Sequence, residues 1–232
     1  MNAKSAVVFL LLFGLLTACN VPTPVPATEL PSLPVIPPTS LPFATANPPE
    51  VIQPPTSIPP SVTPKTLNET ILERAGEVVH ALKTQDMVTL SGYVHPQNGV
   101  RFSPYAYVQD TDQVFSADEI ASILADSAVY TWGFHAGSGE PIVLSFMAYF
   151  SRYVYDVDFA NSPQLALNRR ISTGNSIDNS TEFYPGSVFV EYFFPGFDPQ
   201  YEGMDWRNLR LVFTENSGSW YLVGILHDEW TP

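Results

Sequence analysis

The sequence predicts an α+β domain, with N-terminal helices followed by an antiparallel sheet. Three observations predict it. An apolar stripe at helical spacing runs through Leu67, Ile71, Ala75, Val78, Val79 and Leu82. Alternating apolar patterns cover Ser187 to Phe194, Arg207 to Glu215 and Trp220 to His227. The turn signal Asn216-Ser217-Gly218-Ser219 joins the last two strands into a hairpin. Helices first and strands last is the order of an α+β chain.

Each element has a local cause. Thr66-Leu67-Asn68-Glu69 reads as a capping box, in which the Thr hydroxyl and Glu carboxylate satisfy orphan backbone donors, so a helix is expected over 67–84. Asp86 caps a second short helix through Met87, Leu90 and Tyr93. Ser116-Ala117-Asp118-Glu119 is another capping box and opens a helix through Ile120, Ile123 and Leu124. A strand is expected over Val129 to His135. Ser145 starts a helix whose buried side holds Phe146, Met147, Tyr149, Phe150, Tyr153 and Val154. In the C-terminal strands Val188, Val190, Tyr192 and Phe194 share one face, as do Leu209, Leu211 and Phe213. Strict alternation then groups Trp220, Leu222, Gly224 and Leu226, and leaves Arg210 and Tyr221 nearer solvent.

Composition narrows the function. The 232 residues carry 23 acids against 10 bases, a formal charge of −13. Such a chain has no electrostatic footprint for nucleic acid, and anionic headgroups should repel it. All acids but Glu29 and Glu50, and all bases but Lys4, lie in residues 65–232. All aromatic residues but Phe9, Phe13 and Phe43 lie there too. The folded part is therefore acidic, lysine-poor and aromatic-rich.

The N-terminus reads as an address. Lys4 precedes the apolar run Ala6 to Leu16, the layout of a secretory signal, and the run is too short to span a bilayer. It ends in Leu16-Thr17-Ala18-Cys19, which resembles the lipobox of bacterial lipoproteins. The resemblance implies a signal peptide over 1–18, cleavage before Cys19, and acyl chains such as palmitate on that residue. It implies lipid anchoring to the cell membrane, facing the extracytoplasmic side. Cys19 is the only cysteine, so no intramolecular disulfide can form; the plain alternative is an incidental thiol. Residues 20–64 hold 15 prolines. Proline removes a backbone donor and fixes φ, so residues 19–64 are expected to form a disordered tether. Its polyproline II limit is roughly 140 Å. Residues 65–232 form the globular domain.

Two N-terminal helices before a sheet that ends in Trp220-Tyr221-Leu222-Val223-Gly224-Ile225 resemble the NTF2-like, cystatin-like fold, which implies that the sheet is curved. Stretches such as Leu90 to Pro96, Gly99 to Tyr105, Phe194 to Asp198 and Gly203 to Trp206 resemble a domain carried by bacterial lipoproteins. That second resemblance implies topology alone.

Candidate chemistry gathers at a few positions. In NTF2-like enzymes the open mouth of the sheet holds His, Asp and Tyr, which by resemblance points to His95, Arg101 and Tyr105. His227-Asp228 ends the last strand and could approach the same mouth, with His95 or His227 as base and Asp228 as its orienter. The plainer readings are that His95 satisfies a turn before Pro96, that His227-Asp228 ends a strand, and that Arg101 pairs with a carboxylate. Asp198, Glu202 and Asp205 could offer oxygens to extracellular calcium, but lack EF-hand spacing; the plainer reading is a solvated acidic loop. The four histidines, His80, His95, His135 and His227, lack a zinc-type spacing. Exposed aromatic faces stack on sugars or aromatic ligands, which makes Trp206 and Trp230 ligand-binding candidates alongside Arg101 and Tyr105; the alternative is that they pack a core.

The expected function is a tethered, non-catalytic binding or scaffold module, and the alternative is an NTF2-like enzyme using a His/Asp pair. No cofactor is expected. Expected partners are the membrane through Cys19, and a cell-envelope glycan, peptide or protein; NTF2-like domains also pair with a second copy through the sheet face.

Overall fold

The computed structural model describes residues 65–231 except 173 and 175. The signal peptide, Cys19 and the proline-rich segment lie outside the described residues. No helix among the described residues is long and apolar enough to cross a membrane.

Helix α1 (Leu67–Thr84) starts at the expected capping box: Thr66 Oγ1 accepts from Glu69 N at 3.3 Å, and Glu69 Oε2 accepts from Thr66 N at 2.8 Å. It ends at Gln85, whose left-handed backbone (φ 54°) folds its N–H onto the Ala81 and Leu82 carbonyls. Ile71, Ala75, Val78, Val79 and Leu82 are buried, as their spacing requires. Helix α2 (Met87–Ser91) is capped by Asp86. Strands β1 (Val100–Ser103) and β2 (Val114–Phe115) come next, then α3 (Ala117–Ser122) on its own capping box at Ser116 and Glu119. The hairpin of β3 (Val129–Phe134) and β4 (Pro141–Ser145) runs into α4 (Phe146–Tyr153), capped by Ser145. The chain continues through β5 (Gln164–Leu167), α5 (Ser180–Phe183), β6 (Val188–Phe194), β7 (Arg207–Asn216) and β8 (Ser219–Glu229).

The class is α+β, with helices on a curved, mainly antiparallel sheet. The main sheet has the order β2-β1-β8-β7-β6-β5, and β3-β4 form a separate pair. One pairing departs from the antiparallel expectation: β1 lies parallel to β8, with Arg101 opposite Gly224 and Ser103 opposite Leu226. The helices and β3-β4 cover the inner face, where Phe102, Trp132, Phe146 and Tyr149 form an aromatic knot. Trp132 stacks on Tyr149 with ring centroids 3.8 Å apart, and its Nε1 donates to the Leu144 carbonyl at 2.9 Å.

Strict alternation fails on β8. Val212 pairs with Gly224, but Phe213 pairs with Leu222, so Val223 is an extra residue against β7. The bulge shifts the phase of every later residue. Leu222 and Ile225 enter the inner core, whereas Val223 and Leu226 join a second cluster with Val108, Phe189 and Val212 on the outer face. The expected grouping of Trp220, Leu222, Gly224 and Leu226 on one face is therefore broken at the bulge. Gly224 has a packing reason to lack a side chain: a Cβ there would lie 3.1 Å from the Tyr184 hydroxyl.

The outer face is not open to solvent either, because the described residues between Asn168 and Tyr184 lie across it. Asn168 exchanges bonds with the Phe189 backbone. Glu191 Oε1 accepts from Ile171 N and Ser172 N, both at 2.8 Å. Its Oε2 accepts from Arg210 Nη2 at 2.6 Å, and Arg210 Nη1 donates to Asp178 Oδ2 at 2.6 Å. Arg210, expected near solvent, is buried in this ion cluster because the chain crosses back over it.

Breaking one partner of a buried ion pair strands the other. Glu191→Gln is expected to destabilise the domain by on the order of 3 kcal/mol, measured as a lowered urea midpoint. An unchanged midpoint would show that Arg210 does not depend on Glu191.

Candidate functional site

The sheet end that carries Arg207 and Glu229 gathers a set of hydroxyl and imidazole side chains. Helix α4 supplies Tyr149 and Tyr153, one turn apart on its buried side. The loop after β1 supplies Tyr105, and the end of β8 supplies His227. Tyr153 is the hub: its ring lies 6.1 Å from Tyr105, 5.3 Å from Tyr149 and 5.8 Å from His227. Its hydroxyl lies 3.5 Å from His135 Nδ1. Tyr105 OH accepts from Ala136 N at 3.4 Å.

Burial sets the protonation of this group. It pushes the Tyr149 hydroxyl far above the ordinary range, and the Tyr149 OH has no hydrogen-bond partner. Burial also raises Tyr153, with neighbouring Tyr105 adding to the shift. Both hydroxyls therefore stay protonated. Asp112, which accepts from Ser103 Oγ and Gln109 N, is raised by its burial despite those bonds.

The carboxylate that faces His227 is Asp156. His227 Nε2 lies 3.4 Å from Asp156 Oδ1, although neither ring nitrogen makes a directed hydrogen bond. Asp156 Oδ2 accepts from Arg207 Nε at 2.8 Å. Burial alone would raise the Asp156 carboxyl, but His227 and Arg207 outweigh it and hold it below the ordinary value. Arg207 also approaches Glu229 at 3.4 Å, and Glu229 receives both guanidinium nitrogens of Arg152. This chain of charges ties α4, the segment after it, β7 and β8 together.

Beside the hub is a hollow of about 320 Å³, lined by Tyr105, Tyr107, Ala136, Ser176, Ile177 and Thr231. Its walls are almost wholly apolar. A second hollow of about 360 Å³, on the far side of Tyr153, is lined by His135, β4 and Arg152. A wider groove of about 610 Å³ between α1 and α2 is lined by Lys65, Glu73, Arg74, Glu77, Val88 and Tyr93, among others.

The expected acid–base set does not converge. His95 Nδ1 accepts from Gln97 N at 3.2 Å and Asn98 N at 3.0 Å, so it closes a turn. Its backbone N–H donates to Leu222, five residues before His227 on β8, which separates the two histidines by roughly 17 Å. His227 and Asp228 are consecutive strand residues and point to opposite faces. His227 meets Asp156 inside, while Asp228 accepts from Ser176 Oγ at 2.8 Å outside. The orienter expected for His227 is thus replaced by Asp156.

The binding candidates divide. Tyr105 lines the apolar hollow. Among the described residues Arg101 forms no salt bridge with a carboxylate: its Nη1 donates to the Gln109, Asp110 and Asp112 carbonyls, and its guanidinium sits 5.1 Å from the Phe183 ring. Trp206 is buried against Phe193, whereas Trp230 is exposed. The acidic loop bonds largely to itself: Asp205 Oδ2 accepts from Phe197 N and Asp198 N, and Asp198 accepts from Gln200, while Asp205 Oδ1 is buried without a hydrogen-bond partner. Among the described residues no group of three or more metal-binding side chains clusters, Asp198, Glu202 and Asp205 included.

Sequence reading missed Asp156, Tyr107, Ser176 and Ile177. Asp156 had a signal, since a carboxylate inside the apolar run Tyr153-Val154-Tyr155-Asp156-Val157 needs a partner if that run is buried. The hollow's walls come from distant loops and leave no periodic trace.

No family model and no curated protein matches the chain. Two solved structures are similar to it in part. One is described as a calcium/calmodulin dependent protein kinase II association domain from Xanthomonas campestris; it is 11% identical, with a TM-score of 0.31 over 71% of this chain and 89% of that one. The other is a multiply substituted variant of Rd1NTF2_05; it is 13% identical, with a TM-score of 0.31 over 69% of this chain and 97% of that one.

A carboxyl held below its unfolded pKa stabilises the fold above that value and loses the contribution as pH falls through its folded pKa. The stability gap between wild type and Asp156→Asn should therefore be full above about pH 5 and shrink as pH falls below about 4. Urea midpoints at pH 6, 5, 4 and 3 measure it. A gap that does not shrink would separate Asp156 from the acid response.

Proposed function

We propose that this chain is a lipid-anchored extracytoplasmic binding protein. Its folded domain takes a small, uncharged ligand with an apolar ring or aliphatic face. The observation that carries the reading is the apolar hollow walled by Tyr105, Tyr107 and Ile177. Its volume of about 320 Å³ falls at the low end of small-molecule sites, which span roughly 300–1,000 Å³. The wider groove between α1 and α2 is lined by both signs of charge and suits such a ligand less well. The enzyme alternative loses support, because His227 has no exposed surface and the ring nitrogens of His95 and His227 sit in different places.

The anchor rests on Leu16-Thr17-Ala18-Cys19 and the run before it. Two or three acyl chains, at about 0.8 kcal/mol per buried methylene, hold a protein far more firmly than one. The proline-rich segment would then separate the domain from the bilayer.

Two measurements test this. Cys19→Ser should move the protein from the membrane pellet to the soluble fraction; a mutant that still pellets would remove the lipid anchor. Full-length Cys19→Ser protein should give saturable fluorescence enhancement with the neutral dye N-phenyl-1-naphthylamine. Ile177→Asp, at a wall position 74% exposed, should weaken that binding about tenfold without lowering the unfolding midpoint, because a charge is placed where the dye must desolvate it. Non-saturable dye uptake would end the binding reading.

A further inference from the structure

Ile177 walls the hollow yet is 74% exposed, so packing against the domain does not fix its position. Its two neighbours do. Ser176 Oγ contacts both carboxylate oxygens of Asp228, at 2.8 and 3.0 Å. Asp178 is held by Arg210 Nη1 at 2.6 Å. Both anchors, Asp228 on β8 and Arg210 on β7, rise from the outer face of the sheet. Arg170 joins them from the segment across that face: it lies 3.6 Å from Asp228 and 3.9 Å from Asp178, and it donates to the Ser176 carbonyl.

The charges of this cluster are unequal. Among the described residues, Glu191, Asp178 and Asp228 form their ion pairs with Arg170 and Arg210. Arg210 is engaged by Glu191 and Asp178, while Asp228 holds the Ser176 hydroxyl and lies 3.6 Å from Arg170. The Ser176 hydroxyl reaches both oxygens of that buried carboxylate, a charge-assisted contact.

We propose that Asp228, acting through Ser176, is a positioning residue for the binding hollow. It works from the reverse face of the sheet and sets where the Ser176–Ile177 wall stands. The inference rests on the binding reading above and deepens it. With the Asp228–Ser176 bond made, Ile177 closes one side of the hollow opposite Tyr105 and Tyr107. Without it, that side is held only at Asp178 and the hollow widens to an open groove.

The test is a double-mutant cycle in full-length Cys19→Ser protein, read by N-phenyl-1-naphthylamine titration. Asp228→Ala and Ser176→Ala should each weaken the dye about tenfold, and the double variant should be no weaker than either single one, because both remove the same bond. Asp228→Asn keeps an acceptor for the Ser176 hydroxyl and should restore most of the affinity, which a merely structural loss of charge would not allow. If Asp228→Ala fails to fold, Ser176→Ala, which leaves Asp228 beside Arg170, tests the bond by itself. Affinity within twofold of the parent in the foldable single variants, or additive losses in the double, would overturn the positioning role while leaving the binding reading intact. A parent protein that does not bind the dye saturably would overturn both.

Discussion

One extra residue on β8 decides which side chains this domain turns inward. Val223 has no counterpart on β7, so the strand changes phase between Leu222 and Ile225. Everything after it follows. His227 enters the interior beside Tyr153 and Asp156, and Asp228 leaves by the other face to meet Ser176. Without the bulge Leu226 would take the place opposite Leu209 that His227 holds, and Asp228 the place opposite Arg207 that Glu229 holds. The bulge also places Gly224 under Tyr184, where a Cβ would lie 3.1 Å from the hydroxyl. A local irregularity of one residue thereby assigns two neighbouring polar groups to two separate jobs.

The second constraint is the ion cluster that the described residues between Asn168 and Tyr184 bring to the outer face. Buried ion pairs contribute little net stability against well-packed apolar residues, but they demand particular partners in particular places. Arg210 finds Glu191 directly opposite it on β6 and Asp178 on the covering segment. An apolar face would let that segment slide; a guanidinium with two directed acceptors does not. This explains how an irregular stretch of chain can present a defined wall at the edge of the sheet.

Local rules made much of the fold readable. Both capping boxes, the Asp86 cap and the Ser145 cap are short-range devices, and all four open helices where the sequence places them. The hairpin of β7 and β8 follows from alternation and a Ser-Gly turn. What escaped depends on distant chain. Strand β5 is four residues long and has a sequence, Gln-Leu-Ala-Leu, that no pattern separates from a loop. Arg210 looks like a surface residue in its own strand, because the segment that buries it arrives from elsewhere. The site was less legible than the fold for the same reason. Tyr105 was readable, while Asp156, Ser176 and Ile177 acquire their roles only through tertiary contact.

The aromatic residues show how the hollow is made. Trp132 is committed to the core knot and Trp206 to packing against Phe193, so the large indoles do not build the walls. Tyr105 and Tyr107 do, and they stand on an irregular loop that needs its own support. Arg101 supplies it by gathering the carbonyls of Gln109, Asp110 and Asp112 on one guanidinium nitrogen. The opposite wall at Ile177 is held by Asp228 and Arg210 through its neighbours. An apolar hollow on a strongly acidic domain is thus framed by charged residues that do not line it. Their charges are spent on backbone and buried partners, which leaves the space between the loops uncharged.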